Sequence, residues 1–201
     1  MMKIEPLQRR HIRELHRVID AVAGERQYFS QNQAMEIGEF TAWVERNIEQ
    51  GCPQFVAISK RGLVGWSILH TNDLSFLSHC AALFIGLLPR WRGRGIGEQL
   101  LQACIDNAWE KQLTRLELEV YAHNTNAIAL YKRMGFVKEG LKRHAHLVEG
   151  YYRDVVSMAL LSEYIDGTFD ATQDLGIGIG LPLHRGSNLP ARPAAHFIET
   201  R

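Results

Sequence analysis

Cysteine is scarce. The 201 residues hold three, Cys52, Cys80 and Cys104, with no C-x-x-C pair among them. An odd, dispersed set excludes a disulfide framework and a cysteine-built zinc site, and reads as reduced cytosolic thiols. Long apolar runs are also missing. The longest, Cys80–Leu88, is too short to cross a bilayer, and the opening "MMKIEPLQRRHIREL" has no apolar signal core. A cytoplasmic protein is therefore expected. Charge of one sign is lacking too: 23 Lys and Arg stand against 22 Asp and Glu, a net charge of +1. No global field draws the chain to nucleic acid or to a membrane, so anion recognition has to be local.

What remains is 46% hydrophobic and 22% charged, enough for one globular domain with its own core. Apolar spacing of three and four predicts helices over 9–23 (Ile12, Leu15, Val18, Ile19, Val22) and Phe40–Ile48, and from about Gly97 (Leu100, Leu101, Cys104, Ile105, Ala108). Strands are expected at Lys3–Pro6, at 54–69 as a hairpin turning near Lys60–Gly62, at 80–89, and at 114–122, where Leu116, Leu118 and Val120 alternate with Glu117, Glu119 and Tyr121. The apolar 80–89 run reads as a strand buried on both faces. "NTNAIALYKRMGF" (124–136) opens on an Asn cap and stops at Gly135, and 141–161 reads as a hairpin turning at Glu149–Gly150. The class is mixed α/β, with the domain over 1–161. From about Ser162 periodicity fails, and 162–201 is expected to be an irregular extension. Its "GIGIG" is no phosphate loop, since no GKS or GKT follows.

One stretch stands out. "PRWRGRGIGEQLL" (89–101) packs three arginines and three glycines between the 80–88 strand and a helix. Glycine lets a backbone turn approach a ligand closely, and a following helix offers unpaired N–H groups at its positive end. Such a turn makes a ready pyrophosphate or phosphate site. A solvated surface turn is the plain alternative. A nucleic-acid patch would need a wider basic surface than this near-neutral chain has.

The spacing Arg92-x-x-Gly95-x-Gly97 resembles the coenzyme A loop of the GNAT acetyltransferases, Q/R-x-x-G-x-G/A. Downstream, Asn124, Ala127, Leu130, Tyr131, Gly135 and Phe136 fall on that superfamily's N-x-x-A-x-x-L-Y-x-x-x-G-F pattern. The resemblance covers roughly 2–161. It implies a mixed, mostly antiparallel sheet splayed between its fourth and fifth strands and flanked by helices. It also implies an N-acetyltransferase in which an amine attacks acetyl-CoA directly. By position, the backbone of Ile85, Leu87 and Leu88 would face the pantetheine arm. Amides of Arg92, Gly93, Arg94, Gly95, Ile96 and Gly97 would hold the pyrophosphate, and Asn124 would bond the pantetheine. Tyr131 would protonate the departing thiolate, a fitting task for a phenol of pKa about 10.

The base is less determined. Many relatives place a Glu on the fourth strand, and "CAALFIG" has no acid there. Glu119 resembles the glutamate base of the ribosomal-protein alanine acetyltransferases, although strand alternation alone explains a solvated Glu at that position. Glu25, in the loop that usually shapes the acceptor pocket, is a second candidate, with Tyr28 and Phe29 as an aromatic wall. His144-x-His146 has no acid or cysteine to complete a metal set, and no metal is expected. Cys104, Trp66 and Trp109 read as core. A small-molecule amine is the favoured acceptor. A protein N-terminus or lysine, and a non-catalytic acyl-CoA-binding module, remain the alternatives. An open-edged sheet also suggests a homodimer.

Overall fold

The computed structural model describes residues 2–28, 34–71 and 74–162; Phe29 and residues 163–201 lie outside the described residues. Its elements are β1 (Lys3–Pro6), α1 (Ile12–Ala23), α2 (Ile37–Glu49), β2 (Gln54–Ser59), β3 (Gly62–Thr71), β4 (Cys80–Leu87), α3 (Ile96–Glu110), β5 (Arg115–Tyr121), α4 (Thr125–Arg133), β6 (Val137–Val148) and β7 (Tyr151–Leu161). Every helix and strand expected from periodicity is present, with ends shifted by a few residues. The first helix is preceded by a single 3-10 turn at Arg9–His11, and β6 begins at Val137 instead of 141.

The strands form one sheet in the order β1-β2-β3-β4-β5-β7-β6. Neighbours run antiparallel except β4 and β5, which run parallel. One face is covered by α1 and α2, whose Leu15, Val22, Phe40 and Val44 pack on Val56, Trp66 and Ile68. The other is covered by α3 and α4, where Leu101, Cys104, Ile105 and Tyr131 pack on Leu116, Leu118 and Val120. The alternation along β5 therefore resolves into Leu116, Leu118 and Val120 on the α3/α4 face and Glu117 and Glu119 on the other.

The strand buried on both faces is β3, over Leu63–Leu69, and not the 80–89 run. In β4 only Ala81 and Leu83 are buried. Composition cannot distinguish the two runs, because double burial follows from a central place in the sheet with both edges paired, and β4 loses one edge. The hairpin of β6 and β7 turns at Glu149 (φ 52°) and Gly150 (φ 81°), two left-handed residues of the kind a two-residue turn demands. A bulge between Lys142 and His146 breaks the β6 register. It sends the His144 ring onto Tyr152 and the His146 ring onto Tyr121, so the two histidines part company.

The seat of β4 is set by a close approach. Gly86 lies beneath the buried Trp66 indole, and a methyl there would fall 2.6 Å from Trp66 Cζ2 and 2.8 Å from Cζ3. Gly86→Ala should lower stability by about 1–3 kcal/mol through overpacking. Denaturant unfolding of the variant, with the midpoint unmoved, would show that the strand yields freely there.

Candidate active site

β4 and β5 pair over three positions only, Cys80–Arg115, Ala81–Leu116 and Ala82–Glu117. Beyond them β4 keeps β3 along one edge and has no strand along the other among the described residues. Leu88 N–H donates to Val64 O at 2.9 Å, toward β3. Because an antiparallel strand alternates its polar groups between its edges, Ile85 and Leu87 present theirs to the gap. Leu88, expected to face it as well, has its amide turned away. Backbone groups left on such an edge need a partner.

Two helices start at the mouth of the gap. Gly93 (φ +69°) and Gly95 (φ +75°) are left-handed, and a Cβ at either would meet nothing within 4 Å. The ground above the loop is open. Gly95 caps α3 without a side chain, and the first helical bond there runs from Gln99 N–H to Gly95 O. The amides of Ile96, Gly97 and Glu98 are thus left pointing outward. Gly97 sits close to its neighbours: a Cβ would lie 3.3 Å from Leu130 and 3.5 Å from Leu87, so a larger residue there would press on the Leu130 side chain. Arg92 departs from expectation. Its amide donates to Pro89 O at 3.1 Å, which shortens the free-amide cradle to Gly93–Gly97. Arg94 lays its guanidinium over Trp91, 5.3 Å from the ring centre.

The Arg92 side chain turns inward. Its Nε donates to Leu87 O (2.9 Å), and its two terminal nitrogens donate to Glu25 Oε2 (2.8 Å) and Oε1 (2.6 Å). The same guanidinium sits 5.1 Å from the Tyr28 ring centre. Glu25, expected to bind or deprotonate an amine, has both oxygens engaged by this fork and is a clamp instead. Next to it, Arg26 pairs with Glu149 at the β6–β7 turn (2.5 Å), and Gln27 O accepts from His123 Nε2 (3.1 Å). Residues 25–28 thus form a strap tied to the end of β4, the β5–α4 connection and the last hairpin. It borders a cavity of about 280 Å³ lined by Gln27, Tyr28, His123, Asn124, Thr125, Asn126 and Arg153.

Asn124 is the N-cap of α4, and its Oδ1 accepts from Ala127 N–H at 3.2 Å. Its Nδ2 is left as the donor for a ligand. Tyr131 is 8% exposed, and burial pushes its phenol well above the ordinary value. It stays protonated throughout the neutral range. Its hydroxyl has no hydrogen-bond partner among the described residues. Glu119, half-exposed and paired with Lys142, lies on the sheet face opposite Tyr131. Cys104 is buried with its thiol pushed up to about 12, which suits core packing and not nucleophilic chemistry. No three His, Cys, Asp or Glu among the described residues are arranged to hold a metal ion.

The family model for the acetyltransferase (GNAT) family matches residues 15–136. The chain belongs to that family. It is 32% identical over 120 residues to the L-amino acid N-acetyltransferase AaaT of Escherichia coli (strain K12), covering 58% of this chain and 74% of that protein. Among solved structures, yncA from Salmonella typhimurium, solved with its cofactor acetyl-CoA, superposes with a TM-score of 0.75 at 17% identity, covering 80% of this chain and 94% of that one. The spermidine N-acetyltransferase of Vibrio cholerae, solved with CoA and spermine, gives 0.66 at 23% identity, covering 80% and 95%. These two likenesses are of fold.

Tyr121, which the sequence places on the strand beside Glu117 and Glu119, is not among the site residues expected from it. It follows Glu119 on the same face of β5, and its hydroxyl lies 3.2 Å from His146 Nδ1, while its ring stacks on His123 at 5.4 Å. Burial raises its pKa, with Arg153 pulling the other way. Two-residue alternation from Glu117 is the signal that places it here. For this GNAT chain the strap is the element most open to test. Glu25→Gln keeps the shape and removes the charge. Amide hydrogen exchange over 25–28 should speed up by about tenfold, as a charged hydrogen-bond pair is worth roughly 1.5–3 kcal/mol. Unchanged exchange would show that the clamp does not hold the strap.

Proposed function

We propose that this GNAT protein moves an acetyl group from acetyl-CoA to the primary amine of a small molecule by direct attack. The observation that carries the small-molecule reading is the strap. Tied at three points, it borders a cavity of about 280 Å³, close to the low end of small-ligand pockets, about 300 Å³, a size that suits a small amine. The amino-acid acceptor in the name of the E. coli relative AaaT and the spermine bound to the V. cholerae enzyme support the same reading.

Acetyl-CoA, when bound, supplies an activated acetyl thioester. The chain's residues fit it. The open ground over Gly93 and Gly95 leaves room for a pyrophosphate on the amides of Gly93, Arg94, Gly95, Ile96 and Gly97. Ile85, and Leu87 through its N–H, offer strand-type bonds to the pantetheine arm, and Asn124 Nδ2 adds a donor. Most amines are protonated at pH 7 and must lose a proton to attack. Glu119 receives that proton, directly or through water, and Tyr131 gives its own to the departing sulfur.

Two experiments test this. Gly95→Glu sets bulk and negative charge against the phosphates at a left-handed position, so calorimetry should lose acetyl-CoA binding; undiminished affinity in the folded variant refutes the loop assignment. Tyr131→Phe keeps the ring and removes the proton. Turnover should fall by about 10²–10⁴, with acetyl-CoA binding little changed. Glu119→Gln acts on the amine side, so its loss should shrink as pH rises and more acceptor is already neutral. The Tyr131→Phe loss should not. A pH–rate profile of both variants with one accepted amine decides, and parental turnover in Tyr131→Phe would remove that residue from the chemistry.

A further inference from the structure

We infer that the acceptor amine also carries a carboxylate, and that Arg153 binds it. This deepens the acetyl-transfer reading and rests on it. Of the residues lining the 280 Å³ cavity, Arg153 is the one with a permanent charge, and none is Asp or Glu. Arg153 is partly buried and has no ion pair or side-chain hydrogen bond among the described residues.

None of the carboxylates on neighbouring elements contacts Arg153 among the described residues. Glu25 holds Arg92, Glu149 holds Arg26, Glu119 holds Lys142, and Asp154 accepts from the His144 N–H at 2.8 Å. Of the other neighbours, His123 has its Nε2 against Gln27 O at 3.1 Å. Tyr121 keeps its proton because burial raises its pKa, and Gln27, Tyr28, Asn124, Thr125 and Asn126 complete the wall with amide and hydroxyl groups. A partly desolvated guanidinium with no counter-charge is costly, and a carboxylate matches its planar fork with two parallel bonds. The start of α4, at Thr125 and Asn126, adds the positive end of a helix on the same side. A polyamine would bring like charge to Arg153 and find no acid on the wall to receive it. The geometry therefore points to amino acids or their close analogues: an amine aimed at the thioester, an anion held behind it.

The test uses the full chain and acetyl-CoA, reading thiol release with matched acceptors: L-phenylalanine and phenethylamine, L-tyrosine and tyramine, L-ornithine and putrescine, with spermidine alongside. The carboxylate-bearing member of at least one pair should be favoured in kcat/KM by about 10- to 100-fold, the worth of a charged hydrogen-bond pair. Arg153→Gln should collapse that ratio through KM, leave the acetyl-CoA Kd in place, and be partly rescued by Arg153→Lys. Equal use of the decarboxylated amines, or an Arg153→Gln variant that keeps the preference, overturns the inference. Should no amine be acetylated while acetyl-CoA binds, the function proposed above fails instead. Calorimetry of N-acetyl-L-phenylalanine against N-acetylphenethylamine, with CoA present, then decides on Arg153 by itself. Tighter binding of the carboxylate, lost in Arg153→Gln, upholds it; equal binding ends it.

Discussion

The parting of β4 and β5 after three paired positions is the constraint on which the rest of the molecule turns. A parallel pair inside a sheet normally continues until one strand ends. Here β4 runs on for five more residues, Leu83–Leu87, held on one side by β3 alone. The polar groups of Ile85 and Leu87 on the other side are left without a strand, in the middle of a sheet where an edge is otherwise a liability. A ligand that can lie in the gap as an extra strand completes the sheet, so binding and sheet stability become one quantity. Since both helices that begin at the gap present their N-termini to its mouth, the same opening that lacks a strand also gathers outward-pointing amides.

Holding such a gap open demands rigidity around it. Gly86 under Trp66 fixes β4 against the α1/α2 face, and Gly97 lets α3 settle against α4 and Leu87. Between these, Arg92 joins three pieces of chain: its own loop, Leu87 O at the end of β4, and Glu25 in the strap, 67 residues away in sequence. The 92–97 loop and the 25–28 strap are thereby mechanically connected. Two short, charged hydrogen bonds join them in a partly buried setting, where such bonds are stronger than at the surface.

Local pattern revealed most of the secondary structure, because helix and strand periods, caps and glycine stops are short-range properties. The 124–136 segment shows both its Asn cap and its Gly135 stop in thirteen residues. Which strand is buried twice was not legible, since it depends on sheet order. The direction of the Leu88 amide depends on register with β3. The destination of the Arg92 side chain depends on a partner 67 residues away. Glu119 and Tyr131 could be named from motif resemblance, but their placement on opposite faces of the sheet needed the packing of α4 on Leu118 and Val120.

The arginine-rich turn shows how little a count of charges says about what each does. Arg92 is spent on structure, and Arg94 rests on Trp91. The groups facing the open ground are chiefly backbone amides, fixed in direction by two left-handed glycines. Amides suit an anion that must bind and leave at every turnover. They cost no side-chain entropy to order and carry no counter-charge that must be displaced first. The guanidinium groups, which pair more strongly, are kept for bonds that need not break. Arg153 is the exception that gives this division its meaning. It lies at the strap's cavity and holds no carboxylate among the described residues, which leaves its planar fork available to a transient partner.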